Sequence, residues 1–279
     1  MDCEERRCVT AAGSVPERDR LLDWDACLNV RDLGGYPAVD GGRTRWGALV
    51  RADNLCRLTP VGRQALLDYG IRTVVDIRFP SELARAPHPF AAPASDPTAP
   101  AYVNIPVNAG RNPSVDTELA AAFAEAPTRA EANRLELDAN RVGFARIATG
   151  VARARPGGVV VHCDAGHGRT GIAVAVMLSA VGVPDQFIAE DYALSAPSLD
   201  ELYARWVANQ VEANRVEAEA LRRQSSADPA AMLDTLEYLV ERYGGAEAYL
   251  IGGGLRPDDL ESLRVRLLGM APRRSQAYH

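Results

Sequence analysis

Residues 158–183 read GVVVHCDAGHGRTGIAVAVMLSAVGV. A β-branched run is followed by a glycine-rich loop and then by a stretch that is apolar on every side. A strand and a helix of this kind are stable only when both are buried, and that requires a sheet covered on both faces. The segment points to an α/β architecture: a central, mainly parallel sheet flanked by helices. The loop in its middle carries two overlapping patterns. Gly166, Gly168 and Gly171 spell G-x-G-x-x-G, which holds dinucleotide phosphates. Cys163 and Arg169 spell Cys-x5-Arg, which suits a thiol that attacks phosphate esters. Either pattern alone is weak, so its surroundings must decide.

The rest of the chain supplies further strands and helices. WGALVRADNL reads as a strand entering a turn. Thr59 and Pro60 suit the cap and first position of a short helix that stops at Gly70. Residues 71–78, 101–107 and 158–163 are strand-like runs. About a third of residues 86–100 are proline, which makes that stretch a surface loop. The second half reads as helical. Thr170 to Ala180 is a buried helix ended by Gly182 and Pro184, and PDQFIAEDYALS is another short one. Leu199, Leu202 and Trp206 mark one face of a long polar helix after Pro197. Asp228 and Pro229 cap the next, with Met232, Leu236, Leu239 and Tyr243 facing inward. Pro257 starts the last, with Leu260, Leu263 and Leu267. The expected organisation is a loose arm over 1–22, one domain over 23–270 with a helical C-terminal half, and a tail over 271–279.

Composition excludes several classes. The net charge of -6 argues against nucleic acid or an anionic membrane as a partner. The chain has no lysine, so no Walker lysine is available. Five cysteines without a C-x-x-C pair suit a reducing cytosol. The N-terminus, MDCEERRCVT, lacks the apolar core of a signal peptide, and the apolar stretch 172–183 is too short for membrane insertion. A cytoplasmic location follows. Four histidines show neither H-x-H nor H-E-x-x-H spacing, so no metal and no other cofactor is expected. Nothing in the sequence sets an oligomeric state.

The dinucleotide reading requires an acidic residue closing a second strand about 20 residues after the loop. Glu190 and Asp191 fall near that distance, but within a helical pattern. The phosphatase reading fits better. Cys163 follows a buried strand as the nucleophile. Asp164, Ala165, Gly166, His167 and Gly168 can fold tightly with their N–H groups inward. Arg169 and Thr170 open a helix whose N-terminus favours both a bound anion and a thiolate. Arg169 can clamp two phosphate oxygens, and Thr170 can donate its hydroxyl to the departing sulfur. His162 reads as a core histidine that supports the site, and His167 as an exposed one.

HCDAGHGRTG resembles the signature loop of the cysteine-based tyrosine and dual-specificity phosphatases. More closely, the chain resembles the bacterial tyrosine/serine phosphatases that carry NVRDLGGY near the N-terminus. GALVRADNLCRLTPVG, GIRTVVDIRFPSE, IAEDYALS and the segment from YGGAEAYL onward match that family in the same order. The resemblance implies a phosphocysteine on Cys163, a phosphate clamp at Arg169 and a cradle over 164–170. Its default substrate is phosphotyrosine in protein, extending to phosphoserine or phosphothreonine. Alternatives are a small phosphomonoester, such as a sugar or nucleoside 5′-phosphate, and a silent module that only binds phosphorylated ligands. Many family members carry Lys-Asp where His167 and Gly168 stand. Here the lysine is missing and Asp164 adds a carboxylate. That disfavours a polyphosphorylated headgroup by on the order of 1 kcal/mol. The general acid is left open among Asp76, Asp116 and Asp164. Asp76 has a second possible role, pairing with Arg31, Arg51 or Arg78.

Overall fold

The strands β1 (Arg31–Asp32), β2 (Leu49–Ala52), β3 (Ile71–Asp76), β4 (Ala101–Asn104) and β5 (Gly158–His162) form one sheet in the order β1-β2-β5-β3-β4. The architecture comes from a computed structural model, which describes residues 19–91, 99–112, 116–198, 200 and 226–269. β1 pairs antiparallel with β2; the other pairings are parallel. The expected mainly parallel sheet flanked by helices is therefore present.

β5 sits at the centre, and its valines explain why the strand is apolar throughout. Val159 and Val161 face one core together with Phe144, Ile147 and Ile172. Val160 faces a second core with Val50, Val74, Leu66 and Trp24. With side chains alternating between faces and helices on both, no position of the strand meets water. Ala52 of β2 and Asp76 of β3 both lie in register with His162. Residues 53–57, 77–82 and 163–168 thus leave the sheet along one edge. This is the carboxyl end of the parallel strands, where α/β sheets gather ligands.

The described helices are α1 (Pro60–Asp68), α2 (Pro80–Arg85), α3 (Asp116–Glu125), α4 (Arg129–Ala139), α5 (Arg141–Ala152), α6 (Gly168–Ala180), α7 (Asp185–Ala193), α8 (Pro229–Tyr243), α9 (Ala246–Gly252) and α10 (Pro257–Leu268). Thr59 caps α1 by accepting from Gly62 N, with Pro60 at the first position. Gly70, at φ +93, then turns the chain into β3. α6 is buried along nearly its whole length, as its composition demands. Asp228 caps α8, and Met232, Leu236 and Leu239 line its inner face. No described helix is long and apolar enough to cross a membrane.

Some expectations fall outside the described residues. The helix expected after Pro197 lies largely outside the described residues, as do residues 1–18 and 271–279. From Arg20 onward the chain is tied to the sheet: Asp32 N donates to Arg20 O at 2.9 Å and Leu22 N to Val30 O at 3.0 Å. The stretch 116–152, to which the sequence reading assigns no element, forms α3, α4 and α5.

α5 crosses the chain beyond β4 so closely that a Cβ built on Gly143 would lie 1.7 Å from the Val107 carbonyl oxygen. Helix propensity alone would make Gly143→Ala stabilising by about 1 kcal/mol. Contact with rigid backbone reverses the sign, and overpacking of this kind typically costs about 1–3 kcal/mol. Thermal unfolding of Gly143→Ala should therefore show a lower Tm than wild type. A higher Tm would mean that α5 moves away at no cost.

Candidate active site

The loop after β5 is shaped by Arg51 of β2 and by residues just before β1 and just after β2. Asn54 N donates to Asp164 O at 2.9 Å, Asn29 Nδ2 to Ala165 O at 3.2 Å, and Arg51 Nη2 to Gly166 O at 2.7 Å. Three successive carbonyls are thus drawn outward. In a trans peptide the following N–H points the opposite way from the carbonyl. The amides of Ala165, Gly166 and His167 therefore turn inward at the start of α6, an arrangement that can hold an anion. Gly166 has φ +66, and a Cβ there would lie 2.6 Å from Ala52 O. Only glycine suits that position.

The supports are themselves anchored. Asp53 accepts from Leu28 N and Asn29 N, each at 3.1 Å. Arg31 Nε donates to Asp191 Oδ1 at 2.8 Å and Arg51 Nη1 to Asp191 Oδ2 at 2.5 Å. Arg31 also donates to Asn29 Oδ1 and Ser195 Oγ. The side chains of Asn29, Arg31, Arg51, Asp53, Asp191 and Ser195 are all buried. NVRD, VRADN and the Asp-Tyr pair of α7 thus form one polar network beneath the loop.

Cys163 is buried and lines a cavity of about 950 Å³. Asp164, Ala165, Gly168 and Arg169 lie around it. Phe79, Pro80, Leu119, Ala120 and Phe123 provide apolar walls, and Arg57, Arg111, Arg129, Asn108, Ser81 and Glu136 the polar ones. Four arginines against two carboxylates make the cavity positive within an acidic protein. Arg169 is held bidentately by Glu82, at 2.5 Å and 2.8 Å, and lies over the Phe79 ring at 4.6 Å from its centroid. Burial pushes the Glu82 carboxyl up, but Arg169 outweighs that and holds it below its ordinary value. The pair fixes the guanidinium beside the loop before any ligand arrives.

The remaining predicted residues are placed as follows. Asp76 is buried at the end of β3 and does not line the cavity. Arg78 grips it through Nε at 3.0 Å and Nη2 at 2.8 Å, and Tyr102 Oη donates to it at 3.1 Å. Burial raises this carboxyl, and the bonds to Arg78 bring it below its ordinary value. Asp164 lies at the rim, half exposed, and accepts from Asn54 Nδ2 at 2.8 Å. Asp116 begins α3, and its side chain falls outside the described residues. Thr170 is buried, and its hydroxyl has no hydrogen-bond partner among the described residues, the Cys163 sulfur included. His162 is buried beside Cys163, with Nδ1 at 3.0 Å from Cys163 O. His167 corrects the expectation of exposure: it is 1% exposed, because Tyr192 of α7 covers its ring at 4.8 Å.

Asp76, His88 and His162 have the composition of a metal site, with potential ligand atoms within 4.8 Å of one another. The hydrogen bonds do not suit one. Phe90 N donates to His88 Nδ1 at 3.1 Å, so a neutral His88 carries its proton on Nε2 and has no lone pair left for an ion. Burial pushes the ring down to about 3, which keeps it neutral.

Arg57, Arg111, Arg129 and Glu136 were not reached from the sequence. Arg129 and Glu136 stand seven residues apart on α4, two turns along one face. That spacing was the one available signal.

Relatives bear on this arrangement. The tyrosine phosphatase family matches the chain over residues 22–269. A tyrosine-protein phosphatase of Nostoc commune is 29% identical over 227 residues, covering 79% of this chain and 74% of that protein. The triple specificity protein phosphatase PtpB of Mycobacterium tuberculosis is 30% identical over 259 residues, covering 81% of this chain and 92% of that one. With a match over nearly the whole described domain, the chain belongs to the tyrosine phosphatase family, a family of phosphoric monoester hydrolases.

Proposed function

We propose that this enzyme hydrolyses phosphotyrosine in proteins through a phosphocysteine on Cys163, without a metal. The observation that carries the reading is the loop: inward amides, a guanidinium already oriented by Glu82, and a cysteine together in one positive cavity. The Cys163 thiolate attacks phosphorus, the S–P bond forms and the bond to the leaving oxygen breaks. Arg169 and the amides of residues 165–167 hold the charge that develops on the other three oxygens. Water then attacks phosphorus, releases inorganic phosphate and restores the thiolate. A reducing cytoplasm keeps the sulfur available for this.

Phe79, Leu119 and Phe123 favour an aryl ester. Their apolar faces can bury a phenol ring, where a ribose or sugar would leave hydroxyls without partners. Within this reading Asp76 is a positioning residue: ionised and held by Arg78, it has no proton to give.

The test is turnover in EDTA of a phosphotyrosine peptide and a nucleoside 5′-phosphate at equal concentration. The peptide should show the higher kcat/KM, and a denaturing quench should leave a phosphoryl group on the Cys163 peptide. Preference for the nucleotide would move the reading to a small-metabolite phosphatase. Tight peptide binding without turnover would make the protein a silent binding module.

A further inference from the structure

A leaving phenolate or alkoxide needs a proton, and the donor must share the cavity with Cys163. Asp76 lies outside it, and Asp164 sits at the solvent rim bonded to Asn54. At position 168, where many family members carry aspartate, this chain has glycine. A Cβ there would lie 2.6 Å from Arg129 Nη2, so a guanidinium occupies the neighbouring space. The remaining carboxyl lining the cavity among the described residues is Glu136.

We propose that Glu136 is the general acid and base of the reaction, a reading that rests on the Cys163 mechanism above. Its position is fixed by a short chain of hydrogen bonds. Arg111 Nη1 donates to Asn140 Oδ1 at 2.8 Å, and Asn140 Nδ2 donates to Glu136 Oε2 at 2.5 Å. Oε1 makes no hydrogen bond among the described residues, and it is the oxygen left for the substrate. Phe79, Leu119 and Phe123 line the same space. Burial raises the carboxyl above its ordinary value, against the pull of Arg169 from α6, Arg129 from the same helix and Arg111 from the loop after β4. A bound phosphate adds negative charge and raises it further.

In the first step the S–P bond forms, the P–O bond breaks and the Glu136 proton moves to the departing oxygen. In the second, the Glu136 carboxylate takes a proton from water while that water's oxygen bonds to phosphorus. The P–S bond breaks and the thiolate is restored. No further reactant is needed.

The test compares two substrates on the full chain: phenyl phosphate, whose leaving group needs a proton, and 2,4-dinitrophenyl phosphate, whose leaving group does not. Glu136→Gln should lose roughly 10²-fold or more in kcat/KM on phenyl phosphate and stay near wild type on the dinitrophenyl ester. It should also lose the alkaline limb of the kcat–pH profile. Glu136→Asp, which keeps a carboxyl, should retain that limb and regain part of the phenyl phosphate rate. Circular dichroism of both variants checks the fold. An equal loss of kcat/KM on both esters, or no loss on either, overturns the assignment while leaving Cys163 in place. A Cys163→Ser enzyme as active as wild type would remove the underlying mechanism, and this proposal with it.

Discussion

Cys163→Ser should lower turnover of a phosphotyrosine peptide on the order of 10²-fold or more and leave the fold intact. The substitution exchanges one small buried side chain for another at the end of β5, where Cys163 is 2% exposed. The amides drawn inward by Asn54, Asn29 and Arg51 do not depend on the sulfur, nor does Arg169, which Glu82 holds. Phosphate binding should therefore survive. What disappears is the nucleophile, because a serine hydroxyl at neutral pH is almost wholly protonated, and Glu136, which holds its proton for the leaving oxygen in this step, does not take one from it. A fall in kcat at nearly unchanged inhibition by inorganic phosphate is the expected pattern. If inhibition by phosphate vanished as well, the serine would have disturbed the loop and the result would say nothing about attack. If kcat were unchanged, the thiolate mechanism would be wrong. The same measurement separates this chemistry from the dinucleotide reading of the three glycines, which gives Cys163 no role.

The parts of the site that could be read from the sequence are those whose physics is local. Seven consecutive residues from Cys163 to Arg169 hold the sulfur, the glycines and the cation. The all-apolar strand before them and the all-apolar helix after them leave one way to be buried. Caps such as Thr59 and Asp228 were legible for the same reason: each acts on residues two or three positions away. What failed were long-range facts. His167 looks exposed in its loop, and its burial depends on distant residues such as Tyr192, from a helix twenty-five residues on. The sequence left Asp76 with three possible arginine partners. Arg78 takes it, because Arg31 and Arg51 are both committed to Asp191. Arg129 and Glu136 lie in an alanine-rich stretch of mixed charge whose apolar face is too weak to fix its orientation. That they meet Arg169 across the cavity is a matter of tertiary packing, which no periodicity within α4 encodes.

Asp191→Ala should be the most destabilising single change in the support network. Its carboxylate is 1% exposed and is the shared counter-charge of two buried guanidiniums, those of Arg31 and Arg51. Removing it leaves both cations without a compensating charge, and breaking a buried pair from one side costs about 3–5 kcal/mol. For a domain of this size that corresponds to a Tm lower by roughly 6–20 °C. Asp191→Asn keeps the shape and loses the charge. If it falls nearly as far as alanine, charge is the cause; if it melts like wild type, the bidentate geometry alone suffices and the electrostatic account fails. Acid titration gives a second reading. Burial raises the Asp191 carboxyl, and Arg31 and Arg51 more than offset this, so it is held below its ordinary value. A carboxylate depressed in the folded state contributes its stability above the unfolded pKa of about 3.9, and loses it as pH falls through the folded value. The Tm gap between wild type and Asp191→Ala should therefore stay constant from about pH 8 to about pH 5 and close only below about pH 4. Activity should fall with stability, because the arginine that Asp191 orients is the one whose Nη2 holds the Gly166 carbonyl and so shapes the loop that carries Cys163.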